Sequence, residues 1–297
     1  MKQIYFILFC LFYSFQSYAQ TTAIPDTNFE QELINQGIDT NGLNGNILNT
    51  DAQSITSLTL AGTNITDITG INAFINLTDL DLGNNQVVTV SLTALTQLVS
   101  FRTNDNEVLA SVDFSQNLLL EDLFIHGNFP YTTLPPITTI DLSQNLNLIS
   151  FDGDFLNNVT DIIWPVTNTL TTIDIRYLAD TTLDFSLLSG LEDLNIGGSS
   201  VNNVAITLPN VFTNLKDLRI SSIDIPTIDI SNYINLESIY FWGTYVETLL
   251  LPNSNTLTDI FIIIHDIQHP LDFSVLPNLT DLDITSTPTT PLVVDVT

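Results

Sequence analysis

The chain has 297 residues, of which 44% are hydrophobic and 13% charged, so it is neither a disordered acidic tail nor too short to build a core. Lys plus Arg is 5 against Asp plus Glu of 33, giving a net charge of −28. A surface of that sign repels nucleic acid and anionic lipid, and it draws cations and basic partners.

The first residues read MKQIYFILFCLFYSFQSYAQ. Lys2 precedes an apolar run from Ile4 to Phe15, and Ser17-Tyr18-Ala19 has the small-x-small form of a cleavage site. Residues 1–19 therefore read as a signal peptide, with Gln20 opening the mature chain. The apolar run is short for a membrane anchor. The expected location is outside the cell or on its surface, with no membrane span once the leader is removed. Cys10 is the single cysteine and lies in that leader, so the mature chain has neither a disulfide nor thiol chemistry.

Residues 20–54 read as an N-terminal cap. Asp26 or Thr27 can cap a helix through Phe29, Leu33 and Ile34 that stops near Gly37. The stretch DTNGLNGNILNTD that follows is spaced like a degenerate EF-hand-type loop. Asp39 and Asn41 take its first and third positions. The glycine, apolar and acidic positions arrive one residue late, at Gly45, Ile47 and Asp51. Calcium is the candidate cofactor, held by Asp39, Asn41 and Asp51; the alternative is a turn rich in Asn, Asp and Gly.

From residue 55 to 285 a hexamer of the form L-x-x-L-x-L recurs about eleven times. ITSLTL starts at 55, LTDLDL at 77, LVSFRT at 98, LEDLFI at 120 and LISFDG at 148. LTTIDI, LEDLNI, LKDLRI, LESIYF, LTDIFI and LTDLDI start at 170, 191, 215, 236, 257 and 279. Alternation inside each hexamer marks a strand with one buried face, and a unit this small cannot bury that face alone. Stacked units make a solenoid with one long parallel sheet. A second motif fills the return half of the units: VDFSQN, IDLSQN, LDFSLL, IDISNY and LDFSVL. Its Asp and Ser are expected to hydrogen-bond turn backbone. Asp229 and Asp272 are 43 residues apart, as are Leu208 and Leu251, so the array carries a two-unit beat. The return segments are too short and too rich in Pro and Ser for long helices, and are expected to be irregular, 3-10 or β. The insertion FPYTTLPP is expected to bulge from an edge. Residues 286–297 form a tail with no recognisable capping unit.

These hexamers resemble the leucine-rich repeat family, and the match covers Ile55 to Ile284. The resemblance implies a horseshoe with its parallel sheet on the concave face. The family's Asn after the strand is present at Asn85, Asn106 and Asn128, while Ser199 and Thr244 stand there in later units, whose turns are expected to be less regular. The cap, with ITDITGINAFINLTDLDLGNNQ after it, resembles secreted, internalin-like leucine-rich repeat proteins of the Bacteroidetes.

In each hexamer the fourth and sixth residues are expected to face the core. The third, the fifth and the residue after the sixth are expected to face outward. NLESIYFWGTYVETL then places Phe241 inside, with Tyr240 and Trp242 outside. Neighbouring units add Arg219, Phe261 and Ile263. Tyr, Trp and Arg often dominate interface energy, so these five residues are the candidate partner-binding site. Asp193 beside Asp217, and Asp259 beside Asp281, set like charges together, which costs stability unless a cation intervenes.

Little points to catalysis. There is no Gly-rich phosphate loop, and the carboxylates follow the repeat without converging on a cleft. His265 and His269 stand four apart, but in a solenoid and before Pro270, where a helical metal pair is not expected. The expected function is recognition of an extracellular protein or glycan, basic in character, by a monomer, with adhesion as one use. A structural surface scaffold is the alternative, and a hydrolase a more distant one.

Overall fold

The computed structural model describes residues 20–106, 109, 111–127, 137–156, 159–167, 169–178, 181–199, 204–265, 271–287 and 294–295. The leader, Asn128, the FPYTTLPP insertion and His269 lie outside the described residues.

The cap begins with strand Thr21–Ala23, antiparallel to Asn46–Leu48. Helix α1 spans Thr27–Asn35. Asp26 caps it, accepting hydrogen bonds from the amides of Asn28 and Phe29. The other oxygen of the same carboxylate accepts from Thr66 and Asp67, tying the cap to the first repeat. Burial works to raise the Asp26 pKa, but these bonds outweigh it and hold the carboxyl below its ordinary value. Phe29 and Leu33 are fully buried, and Phe29 stacks on Phe74 of the array. Gly37, at φ 70°, ends the helix in the left-handed region that glycine tolerates best. A short helix, α2, spans Asn49–Ala52.

Eleven strands then form one parallel sheet. They are β1 Ser57–Thr59, β2 Asp79–Asp81, β3 Ser100–Arg102, β4 Asp122–Phe124 and β5 Ser150–Asp152. They continue with β6 Thr172–Leu178, β7 Asp193–Gly198, β8 Asp217–Ser221, β9 Ser238–Tyr245, β10 Asp259–His265 and β11 Asp281–Thr287. The parallel β-solenoid and its short return segments are as the hexamers imply. Each fourth residue from Leu58 to Ile260 is at most 2% exposed; Leu282 in the last unit, at 41%, is the exception. The outward assignment after the sixth position fails at Gly83, Gly197 and Asp154, all buried, because neighbouring side chains cover them.

The two-unit beat appears on the return side as two-stranded parallel ladders. Thr89–Ser91 pairs with Ser111–Asp113, and Thr139–Asp141 with Asp161–Ile163. Thr181–Asp184 pairs with Val204–Thr207, and Thr227–Asp229 with Thr248–Leu250. Val294–Asp295 pairs with Leu271–Asp272, so part of the tail continues the array. Asp113, Asp141, Asp184, Asp229 and Asp272 each accept the amide two residues on. These bonds close the return turns, and those from Ser115 and Ser186 hold the Asp113 and Asp184 carboxyls below their ordinary pKa. No helix among the described residues is long and apolar enough to cross a membrane.

Candidate functional site

Strand alternation and the repeat period together build one outward face on β8, β9 and β10. Register sets Arg219 beside Tyr240 and Tyr240 beside Phe261. One row further on, Trp242 lies beside Ile263. Phe241, between Tyr240 and Trp242, is fully buried, whereas Tyr240 is 36% and Trp242 50% exposed. The Tyr240 and Phe261 rings stack with centroids 4.4 Å apart and planes within 5°. All five sequence-predicted residues thus meet on three adjacent strands.

Arg219 has a role the hexamer pattern did not predict. Its guanidinium donates to Asp193 at 2.9 Å and to Asp217 at 3.5 Å. It therefore neutralises the like-charged pair that β7 and β8 bring together. Burial raises the Asp193 carboxyl above its ordinary pKa, and Arg219 offsets part of that rise. A second cluster sits at β4 to β6, where Asp152 lies beside Asp174. His126 lies 2.6 Å from Asp152, and Arg176 reaches Asp154 at 2.6 Å and Asp174 at 3.1 Å. The hydrogen bond to Asp152 raises the His126 pKa against the effect of burial. Burial raises that of Asp154, with Arg176 opposing it. Arg102 stands 4.0 Å from the centroid of the Phe124 ring.

The loop that carries Asp39, Asn41 and Asp51 is braced by protein donors. Asp51 accepts from the amide and hydroxyl of Thr40, and Asp39 from the amide of Asn41. Glu30 on α1 accepts the amides of Asn44, Gly45 and Asn46, fixing the loop from outside its own sequence. Asp39 Oδ2 is buried and meets no donor among the described residues, and burial, with the Glu30 and Asp51 carboxylates nearby, raises the Asp39 pKa above its ordinary value. His265 ends strand β10. The backbone there is extended, which is not the helical geometry an i, i+4 metal pair requires.

Two clefts, of about 220 and 390 Å³, lie on the return side. The first is lined by Asp67 to Asn72 with Thr89 and Ser91, and the second by Leu208, Pro209, Ile225 and Asp229 among others. Neither is lined by a residue of the aromatic face.

The architecture has solved counterparts. An internalin of Listeria monocytogenes, inlF, superposes with TM-score 0.50 at 18% identity, over 90% of this chain and 92% of that one. The chain has the internalin-like leucine-rich repeat fold. Internalin C2 of the same organism gives TM-score 0.48 at 16% identity, over 92% of this chain and all of that one. The functional domain of InlJ from L. monocytogenes, which includes a cysteine ladder, gives 0.47 at 19% identity, over 92% of this chain and 73% of that chain. The early turns of this chain are closed by asparagine. The Asn85 side chain donates to the carbonyls of Leu60 and Leu82, and Asn106 repeats the bond to Leu82 from the next unit. No family model matches the chain, and no curated protein matches it.

Proposed function

We propose that this is an exported leucine-rich repeat protein that binds a macromolecular partner, protein or glycan, through the concave sheet face of β8 to β10. The observation that carries this reading is the open aromatic surface of Tyr240, Trp242 and Phe261. Water-exposed rings of this size, stacked and held on a rigid sheet, offer large buried area at little entropic cost. The face is shallow and broad, which suits a macromolecular surface better than a small substrate. The leader fits export and the acidic surface fits life outside the cell, where adhesion is one use of such a face. No reaction is assigned to it.

The test is an array of glycans and surface proteins probed with the chain beginning at Gln20. Trp242→Ala should weaken whatever binds by about 2 kcal/mol, roughly 30-fold, as at a hot spot. Its melting temperature should stay near that of the parent, because the indole is not in the core. Unchanged binding in a folded Trp242→Ala protein would rule out this face.

A further inference from the structure

Register on the long sheet brings two aspartates side by side three times among the described residues. The pairs are Asp152 with Asp174, Asp193 with Asp217, and Asp259 with Asp281. The first two are answered from within the chain. Arg176 and His126 sit on the first pair, and Arg219 bridges the second. The third has no such answer. Asp259 and Asp281 are exposed and, among the described residues, accept hydrogen bonds only from the neighbouring Thr258 and Thr280. Nor does the chain have a cation to spare. Besides Lys2 in the leader, the basic residues are Arg102, Arg176, Lys216 and Arg219. Arg102 lies over Phe124, Lys216 pairs with Glu192, and the two other arginines hold the aspartates described above.

The unanswered pair borders the aromatic face. Asp259 is on the same strand as Phe261, two residues earlier, and Phe261 is in register with Asp283 on β11. One face of the Phe261 ring is covered by Tyr240. On the strand that flanks Phe261 on its other side, Asp283 is in register with it and exposed. A ring face beside a carboxylate is a setting for a planar cation. The chain already shows such a contact where Arg102 lies over Phe124.

Resting on the concave-face reading above, we propose that β9 to β11 receive an extended protein segment bearing arginine or lysine. One cation bridges Asp259 and Asp281, as Arg219 bridges Asp193 and Asp217. A second stacks on the open face of Phe261 against Asp283. Trp242 and Ile263 cover the apolar stems. The occupant is chosen by charge complementarity: two unpaired carboxylates in register, a third beside an open ring, and a molecule that repels acidic partners. A neutral glycan would stack on the rings but leave the three carboxylates facing one another.

The experiment is fluorescence anisotropy on the full chain with a labelled decapeptide of alternating glycine and arginine, beside labelled cellohexaose as the neutral probe. The double variant Asp259→Asn/Asp281→Asn should weaken the peptide at least about tenfold, and Phe261→Ala at least about fivefold. A control that removes two charges from the return side, Asp161→Asn/Asp224→Asn, should change it less than about twofold at physiological salt. Circular dichroism verifies that each variant is folded. Equal weakening by the control would mean bulk charge attraction and overturn the proposal, as would no peptide binding at millimolar concentration. Cellohexaose bound in a Trp242-dependent way, with the peptide indifferent to Phe261 and Asp259, would overturn the cationic segment while sparing the concave-face reading. Neither probe depending on Trp242 would remove both.

Discussion

The two halves of the long sheet close their strands differently. In β1 to β5 every strand is three residues long, whereas β6 to β11 run five to eight. In β2 and β3 one side chain closes the turn, while β1 and β5 are as short with Thr63 and Leu156 at that position. Asn85 and Asn106 are buried and bond carbonyls of the preceding unit, and Asn85 also accepts the amide of Ile65. An asparagine in that position turns the chain out of the sheet as soon as the hexamer ends. In β7 and β9 Ser199 and Thr244 stand there, and their hydroxyls are buried without a partner. In these units the backbone hydrogen bonds continue through longer strand pairing.

The longer strands produce the candidate site. In the first half, the residue after the hexamer lies outside the strand, as Ala61 and Asn104 do. In the second half it belongs to the sheet, so Trp242, Ile263 and Thr285 form a second outward row in register. The sheet face widens only where the asparagine is absent. Gly243, at φ 64°, takes up the extra residue as a bulge between Trp242 and Thr244, and the strand then resumes to Tyr245.

The largest expected effect distinguishes inward from outward within the widened half. Phe241→Ala should cost about 3–5 kcal/mol, because it empties a fully buried aromatic site. Trp242→Ala, one residue on, should leave the melting temperature nearly unchanged. Thermal melts in which Trp242→Ala does more damage than Phe241→Ala would reverse the assignment of faces and remove the site. In a solenoid the loss should also be local, so hydrogen exchange should rise first around β8 to β10.

Phe241 and Trp242 were legible from the sequence because a strand has period two and the repeat gives its phase. The same logic located all five candidate residues on three neighbouring strands. What stayed hidden depends on side-chain reach across units. Arg219 is drawn as an outward residue by the pattern, yet its guanidinium turns back to Asp193, 26 residues earlier. Asp154 occupies an outward position by spacing and is buried under Arg176. The spacing of the cap loop also hid one of its supports: the Glu30 carboxylate that accepts three of its amides lies outside that spacing altogether. Strand length was readable in part: the change from Asn to Ser and Thr predicts a less regular turn, but not that the sheet would take up the slack.

The turn residues themselves allow a sharper comparison. Asn85→Ala should cost about 2–3 kcal/mol, since it strands the Ile65 amide in the interior and removes one of the donors to each of the Leu60 and Leu82 carbonyls. Thr244→Val should do the opposite. It replaces a fully buried, unpartnered hydroxyl with a methyl of the same shape, and should gain about 1 kcal/mol. Chemical denaturation of both variants measures the two signs. A destabilised Thr244→Val would mean that the later turns depend on that hydroxyl, and that the halves do not differ in the way argued.

The smallest expected effect sits at the border of the two halves, where the three-residue strands end. His126 follows β4 and contacts Asp152 on β5 at 2.6 Å, with both side chains 29% exposed. The Asp152 hydrogen bond raises the folded pKa of His126 above its ordinary 6.5. A histidine raised in this way stabilises the fold fully below its unfolded pKa, and loses that contribution as pH rises through the folded one. The groups facing it are Asp152, Asp154 and Asp105, all acidic, so each adds to the same sign. His126→Gln should therefore lower stability by about 1 kcal/mol or less at pH 5.5, and by less again at pH 8.5. Melting temperatures of the parent and variant across that range measure the difference directly. A gap that widens toward pH 8.5 would show that the neutral imidazole is the stabilising form. The joint between the halves would then be held by packing of the ring and not by its charge.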